Sequence, residues 1–579
     1  MKHLSSLLRG GLSAALLILM WLAGPAARAQ APAWQSLITP SQAAGYNGSG
    51  TSATATDASG NVFVVGSFTG TVSFGTTTLT SAGGSDAFVA KWSPTTATFV
   101  WAQRIGGPNL DGAVAVAVAG TGTGVYVAGD FSSTASFGGQ ALTSAGGTDA
   151  YVAKLTDLGA TGTFVWVQRA GGFSDDRATD LARTGADLYV AGSFSGTDAS
   201  FGTRTLLNSG GADAFVAKLT DLGIASTFVW AQRAGGTGVD GAWAVAASGT
   251  NVYLAGYFNS ASASFGSTQL SIGSPGGNNY DGFVAKLTDQ GATGSFVWAQ
   301  AAGGTGRDEA WAVAVNGANV YVAGYFAGAA SFGSTTLTSA GGYDAFVAKL
   351  TDAGPTGGYA WAQRAGGTGD DQAQALVVAG TAVYMAGGFD SPTATFGPNT
   401  LTNAGVVASD VFVARLTDAG PTSNFAWAQQ AGGTSSDNAT ALWISGQQLL
   451  VGGSARPPAS FGSFAIPGPS GSPESTSFLA SLTDPTLTAT TAAQGTLSFS
   501  LAPNPARAAT TLTMPGVPGT ATAILTLRDA LDRAVQTTIV TLPTAGLRHE
   551  LSLTGLPAGI YAVQVQAGKA MAARRLVVE

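Results

Sequence analysis

The sequence contains no cysteine, which removes disulfides, thiolate zinc sites, iron–sulfur clusters and cysteine nucleophiles together. It has two histidines, His3 and His549. His3 falls in a segment expected to be removed, so one imidazole remains. One imidazole cannot build a multi-histidine metal site, and a Ser-His-Asp triad would have to use His549. Charge is scarce too, at 10% of residues against 45% hydrophobic; a disordered chain or a coiled coil would need far more. Beyond the N-terminus no stretch reaches about 18 uninterrupted apolar residues, so no transmembrane helix is expected. What the chain has in abundance is glycine, 83 of 579 residues, about twice average usage. Its length calls for several domains or a repeat array.

Lys2 and Arg9 precede an apolar stretch over 14–23, followed by Gly24, Pro25 and Ala27-Arg28-Ala29. That order predicts a secretory signal peptide over 1–29, cleaved before Gln30. The alternative, an uncleaved anchor, would have too few apolar residues to span a bilayer. The mature chain then carries 22 basic against 32 acidic residues, a net −10. Residues 30–497 hold 15 against 28, and residues 498–579 seven against four. An acidic body repels phosphate backbones, so nucleic acid is not an expected partner.

Self-similarity dominates the rest. Trp101, Trp166, Trp230, Trp298, Trp361 and Trp427 recur in the context [FY]-[VA]-W-[AV]-Q, with Trp34 in a divergent Ala-Trp-Gln. A Phe-Gly pair recurs at Phe74, Phe137, Phe201, Phe265, Phe332, Phe396 and Phe461. Within one unit, four strand-like runs appear at 310–315 (AWAVAV), 319–326 (NVYVAGYF), 344–350 (DAFVAKL) and 359–363 (YAWAQ). Gly, Asn, Asp and Pro punctuate them, and no 3.6-residue period intervenes. Four antiparallel strands per roughly 65-residue unit is a propeller-blade layout. The last unit has no Trp strand after it, and the Trp34 strand has no unit before it. The expectation is an all-β, seven-bladed β-propeller over 30–485, whose N-terminal strand closes the last blade. An open solenoid is the alternative. The repeat resembles the secreted bacterial seven-bladed propeller repeat family, whose units read like G-N-V-Y-V-A-G-x-F…F-G…L-T-S-x-G-x-x-D-A-F-V-A-K…W. That resemblance implies an architecture rather than a reaction.

Residues 486–497 read as a linker. Short alternating runs over 498–579 then suggest a small Ig-like β-sandwich. The residues Pro503, Asn504, Pro505, Gly555, Leu556, Gly559, Tyr561, Arg575, Leu576 and Val577 carry the order P-N-P-A…L-T-G-L-P-A-G-I-Y…R-R-L-V-V. This resembles the C-terminal sorting domain of the type IX secretion system. The resemblance implies the type IX machinery as partner, passage across the outer membrane, and release or attachment at the surface of a Gram-negative cell. The alternative is an ordinary Ig-like ligand-binding module.

Residues 30–497 hold 26 Asp and only two Glu, Glu309 and Glu474. Eighteen Asp fall in three repeat columns. The first opens the inner strand: Asp111, Asp176, Asp240, Asp308, Asp371 and Asp437. The second precedes the third strand: Asp86, Asp149, Asp213, Asp281, Asp344 and Asp410. The third closes Leu-Thr-Asp: Asp157, Asp221, Asp289, Asp352, Asp418 and Asp484. Asp beside Gly at strand ends caps turns, the reading for the last two columns. The first column can also ring the mouth of a central channel, where converging carboxylates would recruit Ca²⁺. The recurring Lys91, Lys154, Lys218, Lys286, Lys349 and Arg415 are expected to pair with neighbouring Asp, and the Trp column to form inter-blade core rather than a sugar platform. The Gly-Gly-Thr-Gly segments lack the Lys-Ser/Thr and the helix of a phosphate loop.

Functional residues are sought where the repeat departs from itself: the insertion 271–280, the variation at 406–409, and Glu309. Asn278, Asn279, Tyr280 and Glu309 are the candidate ligand-binding residues. Adjacent Asp308 and Glu309 point to opposite strand faces and make a poor catalytic pair. The expected function is a non-enzymatic binding or adhesion scaffold for an extracellular glycan or protein. A polysaccharide-active glycosidase or lyase is the alternative.

Overall fold

The computed structural model describes residues 30–42, 48–119, 123–274, 279–405, 408–468, 474–487, 499–516, 520, 522–529, 534–543, 546–567 and 570–579. Among them every regular element is a β-strand. The expected signal peptide and nearly all of the expected linker lie outside these residues.

The set from Asp240 to Gly304 shows how the repeat folds. Its first strand (Asp240–Ser248), second (Asn251–Phe258), third (Asp281–Asp289) and fourth (Gly294–Gly304) follow in order in one antiparallel sheet. The second and third strands are buried almost throughout, which is why they read as continuous apolar runs rather than as an alternation. The first strand bulges between Ala242 and Ala244. Opposite the bulge, a Cβ on Gly256 would stand 2.1 Å from the Gly241 carbonyl oxygen. The glycine in V-Y-L-A-G is therefore a steric requirement of the bulge facing it.

The same order recurs along the chain, with first strands at Ser49–Thr56, Asp111–Val118, Asp176–Thr184, Asp240–Ser248, Glu309–Asn316, Asp371–Ala379 and Asn438–Ser445. Each contacts the next, and Asn438–Ser445 contacts Ser49–Thr56. There Thr440 Oγ1 donates to the Thr51 carbonyl at 2.5 Å and Trp443 Nε1 to Thr56 Oγ1 at 2.7 Å. The last set takes its fourth strand from the other end of the chain. Trp34–Ile38 pairs antiparallel with Thr476–Thr483, from Trp34 opposite Leu482 to Ile38 opposite Leu479. Lying between two strand-like runs and rich in Thr, Ser and Gly, 327–343 reads from its sequence as the longest connecting loop, but in the structure it is mostly strand. Asn319–Phe332 and Thr335–Asp352 run through it as one hairpin, because Phe332 is buried against Phe346 and Tyr359, with ring centroids 4.7 and 5.7 Å away.

Neighbouring sets are locked by the Leu-Thr-Asp carboxylates. Asp352 accepts from Lys286 Nζ (2.7 Å), Trp298 Nε1 (3.2 Å) and Tyr253 Oη (2.7 Å), all from the preceding set, and from its own Gly354 N (3.0 Å). Asp221, Asp289 and Asp418 repeat this with Lys154, Lys218 and Lys349. Asp157 has Lys91 and Trp101 without a tyrosine, Phe63 standing in that column. Asp484 takes Arg415, Trp427 and Tyr384. These groups are almost completely buried, Lys286 and Asp352 each being 6% exposed. Burial pushes Asp289, Asp352, Asp418 and Asp484 up, but the donors outweigh it and hold them below the usual carboxylate range.

The first two Asp columns meet at the same junctions. Asp176 accepts from Gly172 N (2.5 Å) and Ser195 N (3.2 Å). Asp149, from the preceding set, directs Oδ2 to Arg169 (2.6 Å) and Ala145 N (2.7 Å). Gly171, at φ +147°, lies between the two carboxyls: a Cβ there would stand 2.4 Å from Asp149 Oδ1 and 2.9 Å from Asp176 Oδ2. Asp111, Asp176, Asp240, Asp308, Asp371 and Asp437 each cap their own Gly turn and face a single second-column carboxyl. Among the described residues no three acidic or histidine side chains form a metal-sized group. N–H donors occupy the first-column oxygens, as at Asp176, whereas Oδ1 of Asp86, Asp149, Asp213, Asp281, Asp344 and Asp410 is buried without a hydrogen-bond partner. Burial, joined by the facing carboxylate, raises Asp111 and Asp371 to about 6 and Asp176, Asp308 and Asp437 to about 7.

Two predictions follow from these junctions. Asp352→Ala leaves Lys286 buried and unpaired, which should lower stability by about 3–5 kcal/mol; chemical denaturation of the variant checks it, and Lys286→Met in the same chain should recover part of the loss. The raised carboxyls hold a proton in the folded state, so their stabilisation is complete below their ordinary pKa of 3.8 and is lost as pH rises through about 6–7. The lowered Leu-Thr-Asp carboxylates act oppositely: theirs is present above 3.8 and lost on acidification. Thermal midpoints measured across pH should peak between about 4 and 6, and Asp176→Asn should flatten part of the alkaline fall.

Candidate functional site

The repeat departs most from itself at the junction between the sets that begin at Asp240 and Asp308. The bulge of each first strand leaves one residue unpaired, and here that residue is tryptophan: Trp243 between Ala242 and Ala244, Trp311 between Ala310 and Ala312. A bulge re-aims the side chain it carries. The second strands end in Tyr257 and Tyr325, and Tyr280 and Tyr343 stand just before the third-strand aspartates. The six rings form a connected row. Tyr280 meets Tyr257 at 5.3 Å, Tyr257 meets Trp243 at 5.6 Å, and Trp243 meets Trp311 at 6.0 Å. Trp311 meets Tyr325 at 5.0 Å, and Tyr325 meets Tyr343 at 4.9 Å.

Glu309 sits at the middle of this row, 1% exposed. Its Oε2 accepts from both indoles, Trp243 Nε1 at 2.9 Å and Trp311 Nε1 at 2.8 Å. Its Oε1 accepts from Arg307 Nε at 2.7 Å and lies 2.7 Å from Arg307 Nη2. The guanidinium also lies over the Tyr280 ring, 4.8 Å from its centroid, a cation–π contact. Burial works against the charge of Arg307, but the bonds to Glu309 outweigh it and raise its pKa. Burial, then the Glu309 charge, pushes Tyr257 up to about 12 and raises Tyr325 well above its ordinary value. The arrangement holds aromatic faces in fixed orientation around one neutralised ion pair, while Trp243 stays 36% exposed and the Arg307 side chain 43% exposed.

Of the residues singled out in the sequence, Tyr280 and Glu309 are brought together through Arg307, and Tyr280 bridges to Arg307 across the junction. Asn279 lies next to the cluster, its carbonyl accepting from Asn259 Nδ2 at 2.5 Å. Asn278 lies outside the described residues. Of the expected metal ring, Asp240 and Asp308 adjoin this cluster: Asp240 accepts from Asn259 N beside Tyr257, and the Asp308 carboxylate bonds Gly304 N and Ala327 N. Sequence reasoning missed Trp243, Trp311, Tyr257, Tyr325, Tyr343 and Arg307. The signal was available by column. Where these two sets have tryptophan, the others have Ser52, Val114, Thr179, Gln374 and Thr440, and the tyrosine positions hold small or polar residues elsewhere.

The C-terminal residues form two sheets around one core. Ser500–Ala502, Ala509–Met514 and Leu547–Ser552 make one; Ala534–Thr541, Thr522–Arg528, Gly559–Ala567 and Ala570–Val578 make the other. Leu512, Leu525, Leu527, Leu551, Val563, Val565 and Leu576 fill the space they share. Pro503-Asn504-Pro505 is stitched to the last strand: Asn504 Nδ2 donates to the Arg575 carbonyl at 2.7 Å, and Val577 N donates to Asn504 Oδ1 at 2.9 Å. Tyr561 lies opposite Leu576 and donates to the Pro557 carbonyl at 2.9 Å. The strand that carries Tyr561 starts at Gly559.

No curated protein matches the chain. Among solved structures, a crystal structure of dimeric latent PorU from Porphyromonas gingivalis is similar at 10% identity over 69% of this chain, with a TM-score of 0.12. The chain spans 32% of that protein's length. The family model described as a secretion system C-terminal sorting domain matches residues 500–579. With that address at its C-terminal end, the chain is a type IX export substrate, secreted from or held at the outer surface of a Bacteroidetes-type Gram-negative cell.

Proposed function

We propose that the exported body is a seven-bladed β-propeller acting as a non-enzymatic binding scaffold outside the cell. The propeller reading is supported by the succession of first strands, in which the last contacts the first, and by the Trp34–Ile38 strand that completes the last set. Closure of this kind leaves no sheet edge open to other chains. Each set is then one blade.

The single observation that carries the binding role is the aromatic row around Glu309. Side chains from two blades converge there, their rings through positions that hold small or polar residues, or valine, in the other blades. The connections between second and third strands and those between fourth and first strands meet at this place, as the Tyr280–Arg307 bridge shows, and loops positioned by a rigid scaffold are where binding residues concentrate. The chemistry favours binding over turnover. Both Glu309 oxygens are engaged in holding rings and guanidinium, and Asp308 is tied to backbone N–H groups. A glycosidase or lyase needs a carboxyl pair facing a substrate across a gap, and this pair faces its own scaffold.

Deleting residues 30–38 should leave the last blade with three strands and lower the melting temperature sharply; an unchanged melt would remove the closure. Incubating the purified mature chain with extracellular glycans and proteins should give saturable binding with no product by chromatography. Released product would support the enzyme instead.

A further inference from the structure

We infer that the aromatic row is a subsite for a neutral polysaccharide chain, bound along several consecutive sugar rings. The inference rests on the binding reading above and names its ligand class.

Three observations carry it. The first is ring exposure with ring fixation. Trp243 and Trp311 point their only polar atoms at Glu309, so each indole is held by its edge. Trp243 remains 36% exposed and Trp311, Tyr257, Tyr280 and Tyr343 are half-buried. The recurring tryptophans are the contrast: Trp298, for example, is 4% exposed and bonded to Asp352. Pyranose rings carry an apolar face of C–H groups that can lie on such platforms, with hydroxyls at the rim for polar partners.

The second is extent. The contacts run from Tyr280 to Tyr343 through four further rings without a break. Tyr325 is buried, 3% exposed, so the other five rings are open; a compact ligand would use one or two of them, whereas a linear polymer can engage them together.

The third is charge. Arg307 is the cation of the site, and Glu309 already pairs with it, so the cluster presents no net charge of its own. Around it lies a body in which acidic residues outnumber basic ones, 28 to 15 over 30–497. A polyanion would be repelled by that field, and a neutral chain would not.

Titration of the mature full-length chain with cellohexaose, mannohexaose and hexagalacturonate, read by tryptophan fluorescence and calorimetry, tests the assignment. At least one neutral hexasaccharide should bind, more tightly than its disaccharide, and hexagalacturonate should not. Trp243→Ala should weaken binding about tenfold or more with the melting temperature nearly unchanged. Trp443→Ala, which removes an exposed tryptophan of another blade, should leave binding as it was. Glu309→Gln should weaken the neutral ligand and bring hexagalacturonate into measurable binding, because Arg307 then lacks its counter-charge. Binding of neither neutral hexasaccharide, preference for the uronide by the unaltered chain, or full binding by Trp243→Ala would overturn the glycan assignment; the scaffold reading would survive for other ligands. Cleavage of a hexasaccharide whose binding depends on Trp243 would keep the ligand class and remove the non-enzymatic reading.

Discussion

A buried carboxylate that belongs to one strand set and is satisfied by the one before it governs this structure. The Leu-Thr-Asp carboxylate receives an ammonium, an indole N–H and a phenol from its neighbour and a backbone N–H from its own turn. No set can bury its lysine, tryptophan and tyrosine properly without the next. A lone buried lysine is strongly destabilising, whereas one paired with a carboxylate that is itself fully hydrogen-bonded is tolerated. The repeat is therefore defined less by four strands in a sheet than by a socket on one side and a plug on the other.

That interdependence explains what could be read from the sequence. The columns of tryptophan, lysine and aspartate were visible because each member of the lock must recur wherever a junction recurs. The pairing of Lys with Asp was legible in kind, but its partner was not: Lys286 reaches Asp352, 66 positions away, and only the stacking of sets brings them together. Turn capping by the first-column aspartates was legible from Asp beside Gly, while their separation into independent pairs depended on where each strand begins in space. The connection over 327–343 misled because Thr, Ser and Gly are as common in exposed hairpins as in loops, and only the burial of Phe332 decides between them. At the aromatic site, Tyr280 and Glu309 stood out as departures along the chain. Trp243 and Trp311 did not, because tryptophan within an apolar strand reads as core until the bulge that turns it outward is known.

One junction lacks the lock. Between the last set and the first, the lysine column holds Ser481, the tyrosine column Leu450 and the aspartate column Pro94. Leu450 and Leu479 instead join Val62, Val64, Phe68 and Phe88 in an apolar cluster, and Ser36 and Ser481 share a hydroxyl–hydroxyl contact at 2.7 Å. Where every other junction is held by buried, charge-assisted bonds, this one relies on apolar contact, on neutral hydrogen bonds such as Thr440 to Thr51 and Trp443 to Thr56, and on the paired N-terminal strand.

The pairing of Trp34–Ile38 with Thr476–Thr483 also sets an order of events. The Leu-Thr-Asp locks join residues no more than about a hundred positions apart, so successive sets can form as the chain grows. The final strand partnership joins Trp34–Ile38 to a segment some 440 positions later, and it cannot form until nearly all of the body has been made. The sorting residues begin only some twenty positions after that segment. A body whose first described strand pairs with its last can therefore complete that sheet only at about the moment its address becomes available.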